Sequence, residues 1–261
     1  MKYPVWDIGQ AAPEAAAALQ QAGIPALLAQ ILASRGLDTP TLAGEFLGSV
    51  RAPLPDPMAL GGMAAARERV LLALEHGERI CVFGDYDVDG VTATCLLCEY
   101  LRGRGGDVVS YIPGRLDEGY GLSARALEQL HGQGVRLVVT VDCGITAVEE
   151  ARLCRELGMD LVITDHHTCG DTLPEALAVV DPHRPGDGYP FRGLAGVGVA
   201  FKLAAAIEGE QQSLLARFCD LLALGTVADV MPLLGENRAI VAQGVAALQT
   251  RPRVGVRALL A

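Results

Sequence analysis

The sequence predicts an α/β fold: a mostly parallel sheet with helices on both faces, preceded by a small helical lead-in. Three observations predict it. Apolar runs at 79–84, 107–112, 136–141 and 160–164 alternate with segments of helical periodicity, the pattern of a parallel sheet covered on both sides. Three of those runs stop abruptly in acid. Arg79-Ile-Cys-Val-Phe-Gly84 runs into Asp85, Asp87 and Asp89, Arg136-Leu-Val-Val-Thr-Val141 into Asp142, and Leu161-Val-Ile-Thr164 into Asp165, His166 and His167. The first 50 or so residues show no such runs and read as helix.

In chain order, Ile24 to Gly36 has apolar residues at helical spacing and ends at a glycine. Thr39 to Leu47 reads as a short helix with Thr39 as N-cap and Pro40 at the first position. Arg51-Ala-Pro-Leu-Pro-Asp-Pro57 holds three prolines and reads as a linker or stiff loop. The expected division is therefore a lead-in and linker at 1–57 and a main domain at 58–261. Met63 to His76 is a helix stopped at Gly77. Helices near 91–102, 123–132 and 146–157 separate the strands, and Ala178-Val-Val180 is a last short strand. Leu194 to Leu203 opens a helix through glycines, and Gln212 to Leu224 is another. Gly225-Thr-Val-Ala-Asp229-Val-Met-Pro232 reads as a turn, and Glu236 to Leu248 as a further helix. The chain stops at Arg257-Ala-Leu-Leu-Ala261, inside what reads as the start of a connecting helix.

The 261 residues, 51% hydrophobic, suffice to bury a full core without disulfides. No apolar run reaches the roughly 18–20 residues that span a bilayer. Met1-Lys-Tyr-Pro-Val-Trp-Asp7 lacks a signal-peptide pattern, so a soluble, cytoplasmic protein is expected. The seven cysteines are scattered and odd in number. Cys81 sits in a strand and Cys219 in a helix. Cys95-Leu-Leu-Cys98 has no second such pair, so small packing residues in a reducing compartment are expected. A net charge of −10 argues against a broad basic surface for duplex DNA.

In covered parallel sheets, ligands sit outside the carboxyl ends of the strands. Asp85, Asp87, Asp89, Asp142, Asp165, His166 and His167 all fall there. Asp87 and Asp89, with Asp142 and His166, supply the oxygen and nitrogen donors that two divalent ions about 3.5–4 Å apart require. Mixed Asp/His ligation suits Mn²⁺, and Mg²⁺ with more water. An EF-hand-like calcium loop is rejected, because its twelfth position counted from Asp85 is Leu96. One of the adjacent imidazoles can bind metal while the other contacts phosphate or passes a proton. Asp229, alone among apolar neighbours, could cap a turn. Buried, it needs a partner, and metal would serve.

Six segments in order carry a resemblance: Gly84-Asp-Tyr-Asp-Val-Asp-Gly-Val-Thr-Ala93, Ile112-Pro-Gly-Arg-Leu-Asp-Glu-Gly-Tyr-Gly-Leu-Ser123, Val141-Asp-Cys-Gly-Ile145, Thr164-Asp-His-His167, Leu194-Ala-Gly-Val-Gly-Val-Ala-Phe-Lys202 and Gly225-Thr-Val-Ala-Asp229. Together they resemble the DHH phosphoesterase superfamily and, within it, the RecJ-type exonucleases, over nearly the whole chain. The resemblance implies two Mn²⁺ or Mg²⁺ ions held by Asp87, Asp89, Asp142, His166 and Asp229. It implies that His167 faces the scissile phosphate and that Asp85 and Asp165 orient the ligands from behind. Arg115 would contact the nucleic-acid backbone, with Gly121 and Ser123 shaping its loop. The implied activity is 5′-to-3′ hydrolysis of single-stranded DNA in repair and recombination, releasing 5′-mononucleotides. Single-strand-binding protein or helicase partners are implied with it. RecJ-type proteins continue into a DHH-associated domain and an oligonucleotide-binding fold. Neither is present by residue 261, so a truncated or naturally short form is expected. Two alternatives stay open: another phosphoesterase activity, on nanoRNA, short oligonucleotides, cyclic dinucleotides or pyrophosphate, and a non-catalytic replication scaffold.

Overall fold

A computed structural model describes residues 10–48 and 54–260. The chain forms two compact units, Met1–Pro53 and Leu54–Ala261. The expectations for the first seven residues and for 51–53 lie outside the described residues.

In the first unit, α1 (Pro13–Gln21), α2 (Ala26–Ser34) and α3 (Pro40–Leu47) close on Leu19, Ala29, Leu32 and Ala43. Thr39 caps α3 by accepting the Leu42 amide at 3.2 Å. The sequence does not single out α1, because its alanines mark no clear apolar face.

The second unit opens on residues 54–57, which pack into it. Leu54 lies against the core, and Lys202 Nζ donates to the Pro55 carbonyl at 3.0 Å. A 3₁₀ turn at Pro57–Ala59 then leads to α4 (Met63–His76), closed by Gly77 in a left-handed conformation. Alternation follows: β1 (Arg79–Phe83), α5 (Val88–Gly103), β2 (Val108–Tyr111), α6 (Ala124–Gly132), β3 (Val135–Val141), α7 (Val148–Glu156), β4 (Asp160–Thr164) and β5 (Ala178–Val180). The chain then stays helical through α8 (Gly196–Glu208), α9 (Gln212–Ala228), α10 (Gly235–Thr250) and α11 (Val254–Leu260).

The sheet order is β2-β1-β3-β4-β5, and every pairing is parallel. Successive side chains enter opposite layers, as strand geometry demands. Ile80, Val82, Leu137, Val139, Val141, Val162, Ala178 and Val180 join the core under α4, α5, α8 and α9. Cys81, Phe83, Val138, Leu161, Ile163 and Val179 join the core under α6 and α7. Strand order reverses between β1 and β3, which leaves a crevice at their carboxyl ends, the usual ligand position in such sheets.

Two helix boundaries differ from the sequence expectation. Helix α5 begins at Val88 rather than near 91, because Asp87 caps it by accepting the Gly90 amide at 2.9 Å. Helix α9 runs to Ala228, so the first half of the turn expected at 225–232 is the last turn of a helix. Gly225 suggested a turn, yet it serves close packing. A Cβ there would lie 2.6 Å from Asp89 Oδ1. Gly244 of α10 does the same for the α9–α10 crossing, where a Cβ would collide with the Cys219 carbonyl.

Helix α8 is buried from Gly196 to Ile207, including Lys202. The Lys202 ammonium pairs with Glu236 at 2.7 Å and also donates to Gln211 at 3.0 Å, while Tyr189 donates to the other Glu236 oxygen at 2.7 Å. Removing one partner strands the other charge in the core. Lys202→Met is therefore expected to cost about 3–5 kcal/mol in urea unfolding, and adding Glu236→Gln to recover much of it.

Candidate metal centre

The acids that follow the strands do meet. Asp85, Asp87 and Asp89 follow β1, Asp142 follows β3, and Asp165, His166 and His167 follow β4. Asp229 arrives from the other direction as the C-cap of α9. Three carboxylates converge on His166 Nε2: Asp142 Oδ1 at 3.0 Å, Asp229 Oδ2 at 3.6 Å and Asp89 Oδ2 at 3.8 Å. Asp85, Asp87 and Asp142 form a second group, with ligand atoms within 4.8 Å of one another. Asp142 belongs to both groups, as a carboxylate between two ions would. Arg115 lies outside both. Its guanidinium sits over the Tyr86 ring, 5.2 Å from the centroid.

Local structure explains the placement. Asp142 sits at φ +61, and its side chain passes so close to α8 that a Cβ on Gly196 would lie 2.5 Å from it. Asp89 lies in the first turn of α5. Its two oxygens accept the Gly196 amide at 2.6 Å and the Val197 amide at 2.9 Å, so the N-terminus of α8, with its positive dipole end, anchors the carboxylate. Asp165 is buried and accepts the Ile145 amide at 2.9 Å, the His166 amide at 2.7 Å and His167 Nδ1 at 2.7 Å. That last bond leaves His167 Nε2 as the nitrogen turned to other uses.

The donor set fits divalent cations on a specific observation. Asp142 Oδ1 and His166 Nε2 approach to 3.0 Å, yet both are buried without a hydrogen bond, and Asp85 Oδ1 is likewise orphaned. Buried polar atoms without partners are rare in folded proteins. A cation among these atoms satisfies them together, with the mixed oxygen and nitrogen donors that Mn²⁺ accepts.

Charge is stored here. Burial raises the Asp142 carboxyl well above the usual range, with Asp87 and Asp165 adding to it. Burial does the same to Asp89, with Asp142 next in effect and the α8 amides opposing. Burial also raises Asp85. Asp165 goes the other way. Its burial is outweighed by His167 and the two amides, which hold it below the usual range. The Asp165 bond pushes His167 up to about 9.

Sequence reasoning missed three things. The amides of Gly196 and Val197 are invisible because backbone groups carry no residue signature. Asp181 is fully buried after β5 and accepts the His183 amide at 2.7 Å. It follows a strand as the other acids do, but that strand has only three residues. Val230, just past Asp229, sits at φ +57. Its amide donates to Val227 and the Met231 amide to Thr226, a Schellman closure whose left-handed position usually holds glycine.

Residues 79–226, from β1 to the last turn of α9, match the family model described as the DHH family, N-terminal domain. The chain belongs to the DHH family. Within it, the single-stranded-DNA-specific exonuclease RecJ of Bacillus subtilis (strain 168) is 44% identical over 241 residues, 92% of this chain and 30% of that protein. The Escherichia coli (strain K12) protein of the same name is 40% identical over 253 residues, 92% of this chain and 43% of that one. The chain thus spans less than half the length of these curated relatives. Among solved DHH-family structures, RecJ from Thermus thermophilus in complex with Mn²⁺ superposes with a TM-score of 0.78 at 34% identity, covering 96% of this chain and 36% of that one. An exonuclease RecJ bound to manganese gives 0.71 at 42% identity, covering 79% and 53%. No helix among the described residues is long and apolar enough to cross a membrane.

The site's electrostatics and strain set two expected outcomes. A carboxyl or imidazole raised on folding binds protons in the folded state that the unfolded chain has released, so its contribution to stability is lost as pH rises. The metal-free protein is therefore expected to melt at progressively lower temperature from pH 6.5 to about 9, the window set by His167. Raised Asp89 and Asp142 act in the same direction, and millimolar Mn²⁺ should flatten the trend in thermal melts. Val230, 86% exposed, has little packing to offset its left-handed backbone. Val230→Gly is expected to stabilise the fold by about 1 kcal/mol in chemical denaturation.

Proposed function

We propose that this chain carries the metal-dependent phosphodiesterase centre of a 5′-to-3′ single-strand DNA exonuclease. The observation that carries the reading is the convergence of Asp89, Asp142 and Asp229 on His166 Nε2, within 3.8 Å, with buried donor atoms left unpaired. In our reading Asp87, Asp89, Asp142, His166 and Asp229 would hold two Mn²⁺ or Mg²⁺ ions, with Asp142 common to both groups of donors. Asp85 and Asp165 orient that set. The relatives named for single-stranded DNA, and the RecJ structures holding manganese, support the choice of substrate and metal.

When bound, a pair of divalent cations supplies Lewis acidity to the phosphodiester and lowers the pKa of the attacking water. The residues supply the rest. Asp89, fixed by two α8 amides, holds its carboxylate in place without reorganising during turnover. Asp165 fixes the tautomer of His167 by engaging Nδ1. The bond to Asp165 raises the His167 imidazole, which favours the form with a proton on Nε2. Its Nε2–H then donates to a non-bridging phosphate oxygen and balances charge that grows as the bond to the leaving oxygen breaks. Arg115, exposed and cationic, takes the backbone phosphate of the strand. Protein partners of single-strand-binding or helicase type belong to the same reading.

The test uses 5′-labelled single-stranded DNA and Mn²⁺. Asp142→Ala should lower turnover by more than the roughly 100-fold that outer-shell losses cause. It should also abolish one step of Mn²⁺ binding in calorimetry. Undiminished release of mononucleotides by that variant would refute the assignment. Faster turnover of a dinucleotide than of a long strand by the unmodified chain would move the substrate to short oligonucleotides.

A further inference from the structure

We propose that Tyr120, flanked by Tyr86, is a stacking platform for the nucleobase adjacent to the scissile phosphate. The inference rests on the nuclease reading above and goes beyond it by assigning a base subsite.

The rings make a continuous run outward from the metal centre. His167 and Tyr120 meet edge to face, with centroids 6.1 Å apart at 78°. Tyr120 and Tyr86 meet the same way at 6.5 Å and 81°. The Arg115 guanidinium then lies 5.2 Å from the Tyr86 centroid. In an edge-to-face pair only one of the two rings presents its face to the partner, and Tyr120 is 51% exposed.

That exposure is built, not incidental. The Tyr120 hydroxyl donates to the Asp142 carbonyl at 3.3 Å, which ties the ring to a residue of the metal centre. Burial of that end pushes the phenol far above its ordinary range. The ring also sits between Gly119 at φ +80 and Gly121 at φ +78. A Cβ added at either glycine meets nothing within 4 Å. The left-handed backbone, rather than lack of space, therefore requires both glycines. Two such residues cost conformational entropy on folding. They hold a large aromatic side chain out over the site instead of letting it fold away.

The ligand chemistry follows from the surface. A flat, electron-rich face beside a cation suits a planar base, and any of the four serves, because each has a π-face. The guanidinium beside it is placed to meet the strand's phosphate while the base lies on the ring. Such a platform selects single strands, since a base in a duplex is already stacked on its neighbours. It would hold the terminal nucleotide in register while His167 meets the phosphate.

The test pairs a protein change with a substrate change. A 5′-phosphorylated thymidine dodecamer is compared with a set in which one nucleotide at a time is abasic, and the full chain is used throughout. Kd is read by fluorescence anisotropy with Ca²⁺, and KM and kcat with Mn²⁺. The unmodified protein should lose affinity on the order of 10-fold when one nucleotide near the 5′ end becomes abasic, with little effect elsewhere. Tyr120→Leu should raise Kd and KM for the intact strand by a similar factor with a smaller change in kcat, and should show no further loss on the abasic strand. Tyr120→Phe should keep most of the affinity. An abasic scan that is flat for the unmodified protein, or an equal Tyr120→Leu penalty on intact and abasic strands, overturns the platform. The scan needs no variant, so misfolding of Tyr120→Leu does not rescue the idea. Position-dependent binding without hydrolysis would count against the nuclease reading alone.

Discussion

The centre depends on one contact. Asp89 gives its carboxylate oxygens to the first amides of α8, and its partners there are backbone groups rather than side chains. This joins the helix that follows β1 to α8, which packs beside it over the same core. Gly196 supplies one amide and also lets Asp142 pass at a distance no other residue would permit. Gly225 lets the end of α9 close in from the third side. The spacing of the ligand atoms is thus set by backbone approaching carboxylate, with glycine at each point of closest contact. The positive end of the α8 dipole offsets part of the charge that collects there.

The chain buries charge in two opposite ways. Lys202 and Glu236 form an ion pair of opposite charges, with Tyr189 donating to the other Glu236 oxygen and Gln211 accepting from the ammonium. Asp142, Asp89 and Asp229 instead crowd one imidazole nitrogen, and atoms that should have partners lack them. The first arrangement is a stable part of the fold. The second is unfavourable until something cationic arrives, and burial records this by raising the carboxyl groups. Asp165 marks the boundary between the two. It is buried as deeply, but amides and His167 satisfy it.

Most of the sheet was legible because its strands are uninterrupted apolar runs, and such runs need two covering layers. The clustering of Asp85, Asp87, Asp89, Asp142, Asp165, His166 and His167 was legible for a related reason. Parallel strands put all their carboxyl ends on one rim, so acids that follow different strands must meet. Asp229 was harder. It reaches the rim from a helix end, and the glycine before it signals a turn unless the packing it permits is known. The grip of α8 on Asp89 was not legible at all, since amide donors look alike in every residue. Asp181 escaped because a strand of three residues barely registers as a strand. The rings of Tyr86 and Tyr120 escaped because patterns built on burial say nothing about aromatic residues held outside.

The crowding of acids at the rim has a consequence for how this chain can change. Neutralising Asp142, whose carboxyl is raised by burial and by neighbouring acids, relieves repulsion in the metal-free protein, so an amide or alanine replacement there is a route to a hardier fold. Screens that reward heat resistance alone, with chelator present, would drift toward such a replacement and lose one of the carboxylates gathered at the rim. Under the metal-binding reading proposed above, a divalent cation present during selection would reverse that pressure, because the acids would then strengthen the fold they otherwise weaken.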